Sequence, residues 1–419
     1  MFALVDCNNF YASCERAFQP QYNNTPVAIL SNNDGCFISR SDETKKLGLP
    51  MAAPAFKYWE FCKKNKIKIF SSNYPLYGDM STRVMNILGE FTPDMEVYSI
   101  DEAFLKFEGF KNYDLDTYGR KIQYKVQKCT GIPVSIGIAP TKALAKVANK
   151  ISKKLRDKTN GVFVINSEEG RIKALKWTKI ESVWGIGHGN LKRLQTKNVK
   201  TAFDFTQLSD EWVKKQLAIT GLKLKKDLEG IPSLGLDDDT RDKKAIATTR
   251  SFERTFSDIE NIKERVSTFA SSCAEKLRTQ NSSCNIVMVF LRSDRHKKNS
   301  PQDRSSTLVT LPFATDSTLT ISNYAVEAVN AIYKSGIKYK RAGVIVSGLV
   351  PTDANQLDLF QRENPKHNAL MKALDRVNTK WGDYKIKVGN QDLERTWKMR
   401  QEHLSPKYTT DINDIIKVK

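Results

Sequence analysis

The sequence predicts an α+β chain of several domains, and three observations carry that reading. Its 419 residues exceed what a single core usually organises. Short β-type runs alternate with helical periods in two separate stretches. Between them lies "PSLGLDDDTRDKK", a polar, charged segment over residues 232–244 that reads as a linker.

Taken in order, "FALVD" is a short apolar strand and "NNFYASCERAF" a helix with Phe10, Cys14 and Phe18 on one face, so Asp6 falls where strand gives way to helix. "PVAIL" and "CFISR" are two strands around the turn signal Asn33-Asp34-Gly35, followed by a basic segment from Lys45 to Lys68. "MEVYSIDEAFLKFEG" reads as one strand and "IPVSIGIAP" as another, with a helix between them that closes on Gly131. After Gly161 come short helical pieces broken by "WGIGHG". From Ala245 to about Gly348 strands and helices alternate again, and the last 70 or so residues hold fewer apolar runs.

Lys and Arg outnumber Asp and Glu by 67 to 47, a net charge of +20. Such a surplus calls for a phosphate-rich partner or an anionic membrane surface. The membrane is disfavoured: no apolar stretch approaches the roughly 20 residues of a span, and the N-terminus lacks the features of a signal peptide. A soluble, cytoplasmic chain is expected. Its seven cysteines are odd in number and form no CxxC pair, which suits reduced, mostly buried thiols better than zinc or disulfides.

Three clusters carry chemistry. Asp101 and Glu102 are adjacent inside an apolar run, and neighbours on a strand point to opposite faces, so at least one charge needs compensation. A hard divalent cation supplies it, with Asp6 on a neighbouring strand; lysine pairs at a solvent-facing strand end are the plainer alternative. Lys142, Lys146, Lys150 and Lys153 recur on one helical face within residues 139–161, which hold seven basic side chains and one acidic. That face suits phosphate or water alike. In "VWGIGHGNLKRL", Gly185 and Gly187 open a tight turn before a helix, with Lys192 and Arg193 following; this is half of a helix-hairpin-helix grip on a DNA backbone, or an ordinary loop end.

"FALVDCNNFYASCE", "SNNDGC", "SSNYPLYGDMS", "YSIDEAF", "GIAPTKALAKVANK" and "VWGIG" occur here in the order and spacing of Y-family translesion DNA polymerases, and the chain most resembles their UmuC-like branch. The resemblance runs from Met1 to the terminal "LSPKYTTDINDIIKVK" and implies a right-hand polymerase. Palm would be residues 1–10 and 75–165, fingers 11–74, thumb 166–232, a linker 233–242, little finger 243–350, and 351–419 a C-terminal partner-binding region. It implies that Asp6, Asp101, Glu102 and the Cys7 carbonyl bind two Mg²⁺ ions, that Tyr11 is the steric gate beneath the sugar, and that Lys45 and Lys153 hold the triphosphate. Asp42 stands where many members carry a triphosphate-contacting tyrosine. The family also implies primer-template DNA, dNTPs, a processed UmuD-type dimer and the recombinase RecA as partners, in the bacterial cytoplasm, for error-prone synthesis in the SOS response. "QLDLF", with Gln356, Leu357, Leu359 and Phe360, looks like a sliding-clamp ligand. Two rival classes stay open: a metal-dependent nuclease, which needs no sugar gate, and a non-catalytic DNA-binding scaffold, which needs no carboxylates.

Overall fold

The computed structural model describes residues 1–237, 242–297, 299–354, 364–382, 385–391 and 399–416. The chain divides into two compact units: Met1–Asp239 with Gln401–Lys419, and Thr240–Arg400.

The first unit opens with β1 (Phe2–Cys7) and α1 (Phe10–Phe18). A three-stranded sheet follows from β2 (Val27–Leu30), β3 (Phe37–Arg40) and β4 (Lys68–Ser71), ordered β3-β2-β4, with α2 (Asp42–Lys46) and α3 (Trp59–Lys64) in its connections. Then come α4 (Tyr74–Gly89), β5 (Met95–Val97), β6 (Glu102–Lys106), α5 (Leu115–Thr130), β7 (Val134–Ala139), α6 (Lys142–Lys154), α7 (Arg156–Thr159) and β8 (Val162–Val164). β1 lies at the centre of the sheet β5-β6-β1-β7-β8, antiparallel to both neighbours. The unit continues through α8 (Glu168–Trp177), α9 (His188–Gln195), α10 (Ala202–Thr206) and α11 (Asp210–Leu228).

The period of two along β1 sorts the core. Ala3, Val5 and Cys7 join Leu76, Tyr77, Val84, Ile122 and Val126 from α4 and α5, whereas Phe2 and Leu4 join Ala143, Leu144, Ala148 and Ile151 from α6. The central sheet is therefore covered on both faces. α6 approaches it closely because Gly137 has no side chain: a Cβ there would lie 2.0 Å from the Asn149 main-chain nitrogen. The Asn149 amide then donates to the Ser135 and Leu4 carbonyls at 2.7 and 3.3 Å, clipping the helix to two strands.

The second unit is β9 (Ala245–Phe256), α12 (Ile259–Thr279), β10 (Ser282–Ser293), β11 (Arg304–Thr315), α13 (Thr318–Ile332) and β12 (Tyr339–Pro351). The sheet is antiparallel, ordered β11-β10-β12-β9, and packs its apolar residues on α12 and α13. α14 (Lys366–Trp381) fixes to this unit through the Asp375 carboxylate, which takes both forks of Arg278 at 2.6 and 2.7 Å, and through buried Met371. Residues 401–416 instead pack within the first unit. All seven cysteines are free and five are buried. Among the described residues no helix is long and apolar enough to cross a membrane.

One sequence expectation changes. "MEVYSIDEAFLKFEG" is not a single strand but a hairpin, in which β5 pairs with β6 and Tyr98–Asp101 form the turn. Ser99 and Asp101 make local side-chain bonds that compete with a strand ladder: the Ser99 hydroxyl donates to Asp101 Oδ1 at 2.6 Å and accepts from the Asp101 N–H at 3.3 Å.

Candidate active site

Asp6 follows the parity of Phe2 and Leu4, so its side chain lies on the α6 side of the sheet, at the end of β1. Glu102 is its direct cross-strand partner and shares the parity of Phe104, which belongs to the α6-side core. Two carboxylates thus stand side by side under α6. The lysine face of that helix meets them: Lys146 Nζ binds Glu102 Oε2 at 2.8 Å, and Lys153 Nζ binds Asp6 Oδ2. Lys142, 2% exposed, lies apart from both and pairs with Glu96 at 2.7 Å. The helical spacing seen in the sequence is real, and three of its four lysines face carboxylates rather than water, Lys146 and Lys153 at the sheet end and Lys142 at Glu96.

Lys146 is enclosed by rings, with its ammonium 4.1 Å from the Tyr98 centroid and 5.7 Å from that of Trp184, whose indole N–H donates to the Tyr98 hydroxyl at 3.0 Å. Lys153 is held more loosely, its side chain 35% exposed. Burial pushes the Asp6 carboxyl up to about 7; Lys153 opposes that shift and Glu102 adds to it. For Glu102, burial is outweighed by hydrogen bonds from Asp6 and Lys146, which hold its carboxyl below the usual range.

Asp101 sits one residue out of register, in the hairpin turn. Its carbonyl accepts the Cys7 N–H at 2.8 Å, which ties the turn to the end of β1. On that side Tyr11 is half-buried on α1. Its ring stacks on Tyr77 with centroids 4.4 Å apart and planes 15° from parallel, and meets Tyr74 edge-on at 6.2 Å. Burial raises the Tyr11 phenol above its usual range, with Tyr74 and then Asp101 adding to the effect.

Asn9, in left-handed backbone at φ 49°, starts α1 and presents its amide to α2. Asn9 Nδ2 donates to Asp42 Oδ1 at 3.0 Å, and Lys45 Nζ binds both Asp42, at 3.1 Å, and Asn9 Oδ1. Burial works against the Asp42 charge, but the bonds from Asn9 and Lys45, with the nearby Arg156 guanidinium, hold its carboxyl below the usual range. Asp42 therefore aims Lys45. Arg156 had no signal in the sequence beyond membership of a basic run.

Gly185, at φ +84°, and Gly187 are exposed, and nothing lies within 4 Å of where a Gly187 Cβ would stand; Val183 and Ile186 between and before them are buried. Lys192 and Arg193 are exposed on α9, and Arg193 donates to the Gln216 carbonyl at 2.5 Å. In the second unit, register places Arg304, Arg292 and Arg341 side by side across β11, β10 and β12, all exposed. A row of like charges costs stability unless an anion lies over it. Only cross-strand register, invisible in the sequence, brings the three together. Gln356, Leu357, Leu359 and Phe360 lie outside the described residues.

Among the described residues, no three His, Cys, Asp or Glu side chains gather closely enough to hold a metal ion. Asp101 is turned to Ser99, while Asp6 and Glu102 are turned to lysines. The donor chemistry nevertheless fits a hard cation: three carboxylates at one sheet end, two of them already balanced by lysine charge.

The impB/mucB/samB family matches residues 5–150, its C-terminal domain residues 243–359, and a domain of unknown function residues 368–418. Protein UmuC of Salmonella typhimurium is 38% identical over the full length of both chains, and Protein ImpB of the same species 34% identical over 99% of each. The chain belongs to the impB/mucB/samB family. Its likeness also reaches DNA polymerase IV of Bacillus velezensis, at 26% identity over 92% of this chain and 91% of that one. The impB/mucB/samB fold seen here is that of the Y-family DNA polymerases. A Y-family chimera of Dbh and Dpo4 superposes over 84% of this chain and 99% of its own with a TM-score of 0.66 at 21% identity, and an insertion ternary complex of Dbh DNA polymerase with 0.52 at 22%.

Proposed function

We propose that the chain extends primers across damaged template by nucleotidyl transfer from dNTPs, as the catalytic subunit of a mutagenic bacterial polymerase. That it is a DNA-directed DNA polymerase follows from its family, its full-length likeness to UmuC and its fold. The observation supporting the finer reading is one sheet end where Asp6, Glu102 and Asp101 converge between a lysine-bearing helix and a stacked tyrosine.

In this reading residues 1–10 and 75–165 are the palm, 11–74 the fingers, 166–232 the thumb and 243–350 the little finger. Asp6, Asp101, Glu102 and the Cys7 carbonyl would hold two Mg²⁺ ions, whose chemistry there would be to make a primer 3′-hydroxyl more acidic and to offset charge on a leaving pyrophosphate. The chain's own side chains position the reactants. Lys45, oriented by Asp42 and Asn9, takes the triphosphate together with Arg156 and with Lys153, which is free enough to swing off Asp6. Lys146 stays on Glu102 inside its aromatic box and keeps that carboxylate ionised and aimed. Tyr11 closes the space where a ribose 2′-hydroxyl would sit. The thumb turn at Gly185 and Gly187, with Lys192 and Arg193, and the Arg292–Arg304–Arg341 row grip the DNA backbone without reading sequence. A processed UmuD-type dimer, RecA and the sliding clamp, the last through Gln356, Leu357, Leu359 and Phe360, complete the proposed assembly in the bacterial cytoplasm during SOS mutagenesis.

Incubating a labelled primer on a lesion-bearing template with Mg²⁺ and dNTPs, with and without UmuD-type and RecA partners, tests this. Stepwise lengthening past the lesion is expected. Shortening would make the protein a nuclease, and retention without change of length a scaffold.

A further inference from the structure

The ring that faces the sugar is not held by the palm alone. Tyr11 lies flat on Tyr77, and Tyr77, fully buried on α4, donates its hydroxyl to Glu15 Oε1 at 2.7 Å. Glu15 is itself fully buried on α1, and its hydrogen-bond partners are neutral: Tyr77, Gln19 at 3.4 Å and the Ser405 hydroxyl at 3.0 Å. A buried carboxyl set among neutral donors is a costly way to fill space. It is a direct way to fix the ring that donates to it.

Ser405 belongs to the terminal segment, which is held along its length. The Gln401 amide donates to the Ser72 carbonyl at 2.9 Å, and the Glu402 N–H to Asp34 Oδ2 at 2.9 Å. Ser71 and His403 exchange two bonds: the Ser71 N–H donates to the His403 carbonyl and the His403 N–H to the Ser71 hydroxyl. The Asn73 amide reaches both the carbonyl and the hydroxyl of Ser405 while its Oδ1 caps α4, and Tyr408 stacks on Phe18 at 4.9 Å. The residues from the "SNNDGC" and "SSNYPLYGDMS" stretches that make these bonds, Asp34, Ser71, Ser72 and Asn73, form the seat of residues 401–408.

We infer that Tyr77 and Ser405 are positioning residues for sugar selection, so that the terminal segment of the chain, through Glu15, sets how strictly Tyr11 excludes ribonucleotides. The inference rests on the reading of Tyr11 as the sugar gate. Removing either hydroxyl leaves Glu15 short of a donor and frees Tyr77 to shift, and a shift well under an ångström in the ring stacked on it opens room for a 2′-hydroxyl.

Single-nucleotide insertion of a dNTP and its matched rNTP, measured as kcat/KM on the full-length chain with its partner subunits, tests it. Tyr77→Phe and Ser405→Ala should each lower the dNTP-to-rNTP ratio about three- to tenfold, chiefly through faster rNTP insertion. Ser405→Thr, which keeps the hydroxyl, should restore it. Loss of folded protein slows both insertions equally and cancels in the ratio, so a poorly folding variant still reports. In a Tyr11→Ala background, Tyr77→Phe should add nothing, because both act on the same ring. If Tyr11→Ala relaxes discrimination while Tyr77→Phe and Ser405→Ala leave it unchanged, the gate stands and the positioning role is overturned. If Tyr11→Ala itself changes nothing, the gate reading fails and the inference falls with it.

Discussion

The two faces of the central sheet reach its carboxylate end by different physics. On the α6 face, Asp6 and Glu102 are balanced by Lys153 and Lys146, and the contacts are charge on charge. On the opposite face, Tyr11, Tyr77 and Tyr74 form an aromatic stack held through Tyr77 by a buried carboxyl whose hydrogen-bond partners are neutral. Charge acts over several ångströms and tolerates small displacements, whereas a steric surface fails when it moves by a fraction of one. On the proposed function, the face assigned to phosphate and cation is built from charged side chains. The face assigned to judging shape is built from rigid rings.

Asp101→Ala tests the proposed catalytic carboxylates while leaving the Asp6–Lys153 and Glu102–Lys146 pairs in place. Primer extension should fall about 10³-fold or more, while DNA binding measured by fluorescence anisotropy stays within about twofold, since the basic surfaces are untouched. Extension within tenfold of the parent protein would remove Asp101 from the catalytic set. On the aromatic face, Tyr11→Ala should cost on the order of 100-fold in discrimination against ribonucleotides and comparatively little in dNTP insertion. An unchanged ratio would return Tyr11 to the core.

A backbone substitution sharpens the contrast. Gly137→Ala forces a Cβ against the Asn149 main chain and must push α6, with its lysines, off the sheet; the overpacking should cost about 1–3 kcal/mol. Gly187→Ala, which meets nothing within 4 Å, is its control. Thermal unfolding followed by circular dichroism should show a lowered midpoint for the first and none for the second.

The smallest effect concerns pH. Burial, opposed by the Tyr77 and Ser405 hydrogen bonds and by Lys68, raises the Glu15 carboxyl to about 7, above its unfolded value of 4.5. The folded state therefore holds a proton that the unfolded chain releases. Stability from this group is complete below pH 4.5 and is lost as pH rises through 7, by about 1 kcal/mol between pH 6 and 8. Glu15→Gln, which cannot ionise, should show a flatter dependence of unfolding midpoint on pH over that range; an identical slope would mean that Glu15 is ionised throughout.

The sequence made the acidic and basic clusters visible because charges inside apolar runs and lysines at helical spacing are local patterns. It did not show what the lysine face meets, since periodicity defines a face and not its neighbour. Adjacent strands decided that Lys146 and Lys153 meet carboxylates. The hairpin at Ser99–Asp101 was hidden because the apolar run reads through it, while two local side-chain bonds break it. The seat for Ser405 was hidden more deeply: its partners Glu15 and Asn73, and Asp34, which accepts from the nearby Glu402 N–H, lie more than 300 residues upstream, and no local rule connects them.

That separation has a consequence for how the molecule is made. Synthesis delivers the amino-terminal residues first, and early domains generally fold as they emerge. Glu15, Ser71 and Asn73 are then complete as a surface long before residues 401–408 exist to cover them, with Phe18 waiting for Tyr408. The nascent chain carries an open, polar seat through most of its translation, and closing it is a late, long-range step of the slow kind. A product cut or released before residue 401 would hold every carboxylate and lysine of the charged face, yet Glu15 would lack its Ser405 partner, so the presence of residues 401–408 becomes a condition on the quality of the tyrosine stack.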